Sequence, residues 1–241
     1  MKKKNIIKLL AIILLVSGVV LLYQFQNINL NKETNQDKSA RQEEKEIYQE
    51  ISTLSVENNQ NVIKNYQDKF NNTDIIAELS IENTDLLTPV AKGNDNEFYL
   101  HHLLDKSKNE LGSVFLDYRN NINDRKIIIY GHNSENIYTE FHLLENYLEE
   151  SYYREHSNIY LKTETDTYQY KIFSVYIATT ALQHVNLNFS DEEYSNHLNW
   201  LKSNSIYDTG VSIASNDDIL VLQTCYFDID NSYLIVVAKK I

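Results

Sequence analysis

From Ile75 onward the chain is cut into short apolar runs separated by turns rich in Asn and Asp, and that rhythm is what limits the fold. Ile76–Ile81, Leu86–Val90, Val114–Asp117 and Lys126–Tyr130 have strand length and strand-forming residues. Tyr160–Thr163 and Thr167–Ala178 predict a hairpin. The two-residue period of a strand puts Tyr168, Tyr170, Ile172, Ser174 and Tyr176 on one face. Ile219–Gln223 and Tyr233–Lys239 supply the last two strands. Helical patterning is confined to Tyr138–Tyr147, Leu148–His156 and Asp191–Ser203, the last with Tyr194, Leu198 and Leu201 on a shared side. Many short strands with few helices between them define a mainly β, mainly antiparallel barrel carrying helical additions.

The first part of the chain reads differently. Lysines precede an apolar stretch, Ile6–Tyr23, interrupted only by Lys8, Ser17 and Gly18. Eighteen helical residues span about 27 Å, enough to cross a bilayer core when Lys8 snorkels. A cleaved signal peptide is the competing reading, but the stretch ends in Val-Val-Leu-Leu-Tyr-Gln-Phe without a small-x-small site. The expected organisation is a cytoplasmic tip and transmembrane helix over 1–26 and a tether with N-terminal helices over 27–73. A β domain follows over 74–241. In the middle part, Ile47, Ile51 and Leu54 recur at helical spacing and Val62–Phe70 starts a second helix. Each is expected to pack one apolar stripe on the domain, with a stalk lacking further function as the plainer reading. Basic residues before the span and acidic chain after it put the N-terminus inside and the domain outside.

Charge and cysteine content narrow the function. Four of the 22 basic residues lie in the first eight positions, so the remainder carries 18 against 34 acidic side chains, a balance of −16. Such a surface does not attract nucleic acid. One cysteine, Cys225, allows no intramolecular disulfide. The sequence holds no Gly-rich phosphate loop, Cys-x-x-Cys pair or His-Glu-x-x-His helix, so no metal or other cofactor is expected. Adjacent His101 and His102 would point to opposite faces of a strand, which suits surface residues better than metal ligands. His142, His156, His184 and His197 are scattered through helical or loop stretches and read as solvated.

Cys225 closes an apolar strand, Ile-Leu-Val-Leu-Gln-Thr-Cys, and His132 follows another, in Tyr-Gly-His-Asn. A lone cysteine at a buried strand end is ordinarily an inert core residue. A thiol paired with an imidazole is a nucleophile with its acid/base.

Four collinear segments carry a family resemblance. They are Ser80-Ile-Glu-Asn-Thr-Asp leading to Pro89-Val, and Asn94–His102 leading to Gly112–Asn120. Ile129-Tyr-Gly-His-Asn follows, and then Ser203–Gly210 before Leu222-Gln-Thr-Cys. Together they resemble the sortases, specifically class B, whose inserted helix before the last two strands is similar to Asp191–Ser203. The resemblance implies an eight-stranded sortase-type β-barrel and a membrane-anchored cysteine transpeptidase of a Gram-positive-type envelope. Its partners would be secreted proteins bearing a C-terminal sorting signal and a peptidoglycan-precursor or pilin amine. By position, Cys225 resembles the nucleophile and His132 the acid/base, with Thr224, Gln223 and Asn133 beside the substrate.

One residue departs from the pattern. The family's last strand begins with an arginine that serves the substrate carbonyl or oxyanion, and Tyr233 stands in its place. No arginine follows Arg154. Arg119 reads as half of an ion pair within its own Asp-Tyr-Arg-Asn segment. Three readings stay open here: an active transpeptidase, a binding or scaffold protein on a weakened sortase fold, and a cysteine hydrolase using the same two residues.

Overall fold

The computed structural model describes residues 32, 34–56, 61–134, 139–179 and 182–241. The chain divides into two units, 1–40 and 41–241. In the first, the described residues 32 and 34–40 are helical and lie at or near the surface. Among the described residues no helix is long and apolar enough to cross a membrane. The expected anchor over 6–23 lies outside them.

The second unit is built on a closed eight-stranded barrel. Its strands are β1 (Ile75–Ile81), β2 (Leu87–Ala91), β3 (Phe115–Leu116), β4 (Lys126–Tyr130), β5 (Asn158–Thr163), β6 (Thr167–Ala178), β7 (Ile219–Tyr226) and β8 (Ser232–Lys240). They run in the order β1-β2-β3-β4-β7-β8-β6-β5, closed by β1 on β5. Only β2–β3 and β4–β7 are parallel, so the mainly antiparallel expectation stands with two exceptions.

Alternation along the strands sorts side chains into two cores. Ile127, Ile129, Leu220, Leu222, Leu234 and Val236 fill the barrel interior. Ile128, Ile219, Val221, Ile235 and Val237 face outward under a helix, Asp191–Ser203. Because β4, β7 and β8 are buried on both faces, they read as unbroken apolar runs. That helix starts at Ser190, whose hydroxyl accepts from the Glu193 amide while the Glu193 carboxylate accepts from the Ser190 amide. Its buried residues are Tyr194, His197, Leu198 and Leu201.

The expected single face on β6 is corrected by a bulge. The register slips between Ile172 and Ser174. Tyr170, Ile172 and then Val175 point inward, while Phe173, Tyr176 and Ala178 turn toward the helix. An extra residue in one strand shifts every later side chain to the other face. Ser174 is left on the helix side, its hydroxyl donating to the Leu201 carbonyl at 2.6 Å. The stretch expected as a helix near Tyr138–Tyr147 is a 3₁₀ segment, Glu140–Leu148, followed by the short helix Glu150–Glu155.

The N-terminal helix over 41–56, here α1, and α2 (Val62–Phe70) cover a third cluster containing Tyr48, Ile63, Tyr66, Tyr99 and Leu104. Asn61 caps α2 by accepting from the Ile63 and Lys64 amides. These helices do more than form a stalk. Buried Arg41 pairs with Glu44 and Glu140, Tyr48 donates to Glu140 at 2.7 Å, and Glu44 accepts from the Leu104 amide. One buried network thus ties α1 to both the 98–113 loop and the start of the 3₁₀ segment.

Candidate active site

The sequence places Cys225 near the end of β7 and Tyr233 near the start of β8. The ladder pairs them directly, Cys225 opposite Tyr233. Directly opposed residues of an antiparallel pair project to the same side with Cα atoms about 4.5–5.5 Å apart. Strand parity puts both on the outer face, just beyond the part that the Asp191–Ser203 helix covers. Gln223 shares that face, flanked by Tyr130 of β4 and Ile235 of β8.

His132 arrives from the parallel neighbour. β4 ends at Tyr130, and Gly131 follows with its amide donating to the Gln223 carbonyl at 3.2 Å. A Cβ on Gly131 would come within 2.7 Å of the Phe141 ring, so only glycine lets the chain pass there and deliver His132. His132 Nε2 lies 2.7 Å from the Leu100 carbonyl. A carbonyl accepts only, so Nε2 carries the proton and Nδ1 is left as the free base in the neutral ring. The Leu100 carbonyl is itself held by a tight loop. Gly112 has φ +54, and a Cβ there would lie 2.5 Å from the Leu100 oxygen.

Cys225, His132, Tyr233, Gln223 and Thr224 line one cavity of about 360 Å³, with Asn96, Leu100, Phe115, Tyr130 and Gly131. Five of the six expected site residues therefore come together. The sixth, Asn133, is buried behind the cavity. Its amide donates to the Cys225 carbonyl at 3.0 Å and to Glu145, and its oxygen lies 2.8 Å from His142 Nδ1. It fastens the residue after the base to the nucleophile's own backbone, a holding role instead of the expected substrate contact. Thr224 points inward, its hydroxyl donating to the Gly131 carbonyl at 2.8 Å, a second tie between the same two strands.

Electrostatics set the resting protonation. Burial pushes the Cys225 thiol above its ordinary value. Burial also pulls His132 below the usual imidazole range, an effect that outweighs the Leu100 carbonyl. The pair therefore rests as thiol and neutral imidazole. Arg119 does not supply the missing guanidinium. It grips Asp117 through Nε at 2.8 Å and Nη2 at 2.7 Å, as its segment predicts, and also reaches the Val185 carbonyl. Tyr130 donates to the same Asp117 at 2.8 Å, standing between that ion pair and the cavity.

Two histidines read as solvated are buried. His184 is 0% exposed and bonded to Gln223; His197 is 6% exposed and 2.8 Å from Lys126 Nζ. Leu100 and Tyr130 escaped the sequence reading for different reasons. Leu100 acts through a backbone carbonyl, which no residue type signals. Tyr130 had a signal, since strand parity carries it to the face of Gln223.

The family model for the sortase domain matches residues 79–241. Sortase B of Staphylococcus aureus (strain NCTC 8325 / PS 47) is 28% identical over 249 residues, covering 100% of this chain and 99% of that one. Sortase B of Listeria monocytogenes is 32% identical over 157 residues, 64% of this chain and 63% of its own. Among solved structures, the Staphylococcus aureus sortase B–substrate complex has a TM-score of 0.77 at 28% identity, over 86% of this chain and 99% of that one. Clostridium perfringens sortase B has a TM-score of 0.69 at 35% identity, over 74% and 98%. The family model covers more than half of the chain, and with the barrel fold it shows that the chain belongs to the sortase family of cysteine transpeptidases. Its similarity to these sortase B proteins places it with class B.

Proposed function

We propose that this chain cleaves a sorting signal near the C-terminus of a secreted protein and transfers the acyl part to a cell-wall or pilin amine. The observation that carries the reading is that Cys225 and His132 line one cavity with Cys225 opposed to Tyr233. The cysteine sulfur attacks the carbonyl of the threonine before the scissile bond as its proton passes to His132 Nδ1. The Leu100 carbonyl, accepting from Nε2–H, stabilises the imidazolium that forms. That imidazolium then protonates the departing amine, leaving a thioester on Cys225. An incoming amine attacks the thioester carbonyl and forms the amide. Its proton passes to neutral His132 and from there to the departing sulfur, which restores the Cys225 thiol.

Oxyanion charge develops beside Tyr233, whose hydroxyl is a neutral donor without the fork of a guanidinium. Losing one well-placed donor of this kind slows reactions by ~10²–10³. The same observation favours the second reading, a weakened sortase-fold binding protein. The Ile6–Tyr23 stretch supports single-pass anchoring with the N-terminus cytoplasmic and the domain outside.

Incubating the protein with a panel of Thr-containing sorting-signal peptides, with and without hydroxylamine or an amine acceptor, tests the proposal. Cleavage lost in Cys225→Ala and an amine-dependent product are expected. Cleavage to the acid alone would indicate a hydrolase, and binding without cleavage a scaffold.

A further inference from the structure

His184 is a buried histidine that the proposed reaction does not use. It sits on the turn Gln183–Val185, in the segment between β6 and the Asp191–Ser203 helix, edge-on to Tyr176 at 6.3 Å. Its Nε2 is 2.8 Å from Gln223 Oε1, and its Nδ1 is buried with no hydrogen-bond partner among the described residues. Two arrangements of the pair are conceivable. If Nδ1 carried the proton, an N–H would be buried without an acceptor and the amide would have to turn its nitrogen to the ring. If Nε2 carries it, only a lone pair goes unused. A buried orphan donor is rarer and costlier than an under-used acceptor. The ring therefore donates to Gln223, and burial, which pulls His184 down to about 4, keeps it neutral near pH 7.

The consequence falls on Gln223. With its oxygen engaged, the amide nitrogen has no hydrogen-bond partner among the described residues, and Gln223 is one of the residues lining the cavity. It stands two residues before Cys225 on the same face, about 6.5–7 Å along the strand. An extended peptide laid across that face offers carbonyl oxygens at this spacing.

Resting on the transpeptidase reading above, we infer that His184 is a positioning residue. It fixes Gln223 so that the amide N–H groups face the cavity and donate to a carbonyl oxygen of the acyl-donor peptide.

Two measurements on the full chain test this. Long-range ¹H–¹⁵N spectra at pH 7 should show His184 protonated at Nε2 and bare at Nδ1; the opposite tautomer overturns the inference whatever the turnover. With the panel peptide that the wild type cleaves fastest, His184→Phe and Gln223→Glu should each raise KM about 3–10-fold, the size of one neutral hydrogen bond. Their effects should not add in the double variant. His184→Gln, which keeps a donor, should recover part of the loss. The iodoacetamide alkylation rate of Cys225 should stay at the wild-type value in His184→Phe. An unchanged KM, or a loss confined to kcat, contradicts the role. If the wild type cleaves no peptide, the transpeptidase reading fails separately. Titration of the panel against Cys225→Ala, with and without His184→Phe, then decides: about 3–10-fold weaker binding supports the role, and equal or absent binding contradicts it.

Discussion

Cys225 and Tyr233 face each other across the β7–β8 ladder. In the proposed reaction, oxyanion charge develops beside that phenol once the thiol attacks. A guanidinium there would donate charge-assisted hydrogen bonds, roughly twice as strong as neutral ones. Tyr233→Arg should therefore preserve kcat or raise it by up to about 10-fold, and Tyr233→Phe should lower it by about 10-fold or more. Steady-state peptide cleavage checks both. A large loss in Tyr233→Arg would mean that tyrosine has its own required part.

How much of this was legible beforehand follows from where each signal resides. The strands of the barrel wall were readable because burial on both faces leaves continuous apolar runs, and Lys126–Tyr130, Thr167–Ala178 and Asp191–Ser203 match the expected bounds. The position of Tyr233 could be counted along a strand that stays in register. The bulge at Ile172–Ser174 could not, because a register slip depends on the partner strand. His184 and His197 looked solvated because Gln223 and Lys126, to which their Nε2 atoms bond, lie far off in sequence. The Leu100 carbonyl that orients His132 has no side-chain signature at all.

The resting thiol and neutral imidazole predict a particular pH behaviour. Thiolate forms only above the ordinary cysteine range, because burial raises Cys225. His132 stays an effective base to below its ordinary range, because burial lowers it. The competent neutral pair thus persists between those limits. The kcat/KM profile should show a broad plateau with an acid limb below about 6.5, and alkylation of Cys225 by iodoacetamide should have its midpoint above about 8.5. An alkylation midpoint near 7 or lower would show a preformed thiolate–imidazolium pair.

Asn133 joins the base-bearing segment to the nucleophile's carbonyl and also meets Glu145 and His142. Asn133→Ala removes three part-buried hydrogen bonds made by a buried side chain, a cost of about 1–3 kcal/mol in stability. Activity should fall as well, since Cys225 and His132 lose a shared tie. Urea unfolding with peptide kinetics separates the two effects, and wild-type stability in the variant would refute the holding role.

Acid should loosen the outer layer. His184 and His197 are pulled down to about 4 and about 3, first by burial, against 6.5 for a free histidine. The unfolded chain therefore binds more protons below about 6.5, so their contribution is complete above that pH and lost as pH falls toward 4 and 3. Each histidine accounts for on the order of 1–3 kcal/mol. Urea midpoints at pH 7, 5.5 and 4.5 should decline less steeply in His184→Phe than in the wild type. Parallel declines would contradict the assignment.

The network from Arg41, Glu44 and Tyr48 to Glu140 and the Leu104 amide makes α1 a brace for both sides of His132. A chain shortened to begin at Asn61 should lose about 10-fold or more in kcat/KM, since misplaced catalytic groups cost that much. Comparing its kinetics and circular dichroism with those of the full chain checks this. Undiminished kcat/KM would reduce α1 to a stalk.

The most direct test of the central claim is the intact mass of the protein quenched during cleavage of a panel peptide. A thioester-linked acyl fragment should appear on Cys225, vanish when hydroxylamine is added, and be absent in Cys225→Ala. Cleavage that proceeds without that adduct, or that survives in Cys225→Ala, would contradict it.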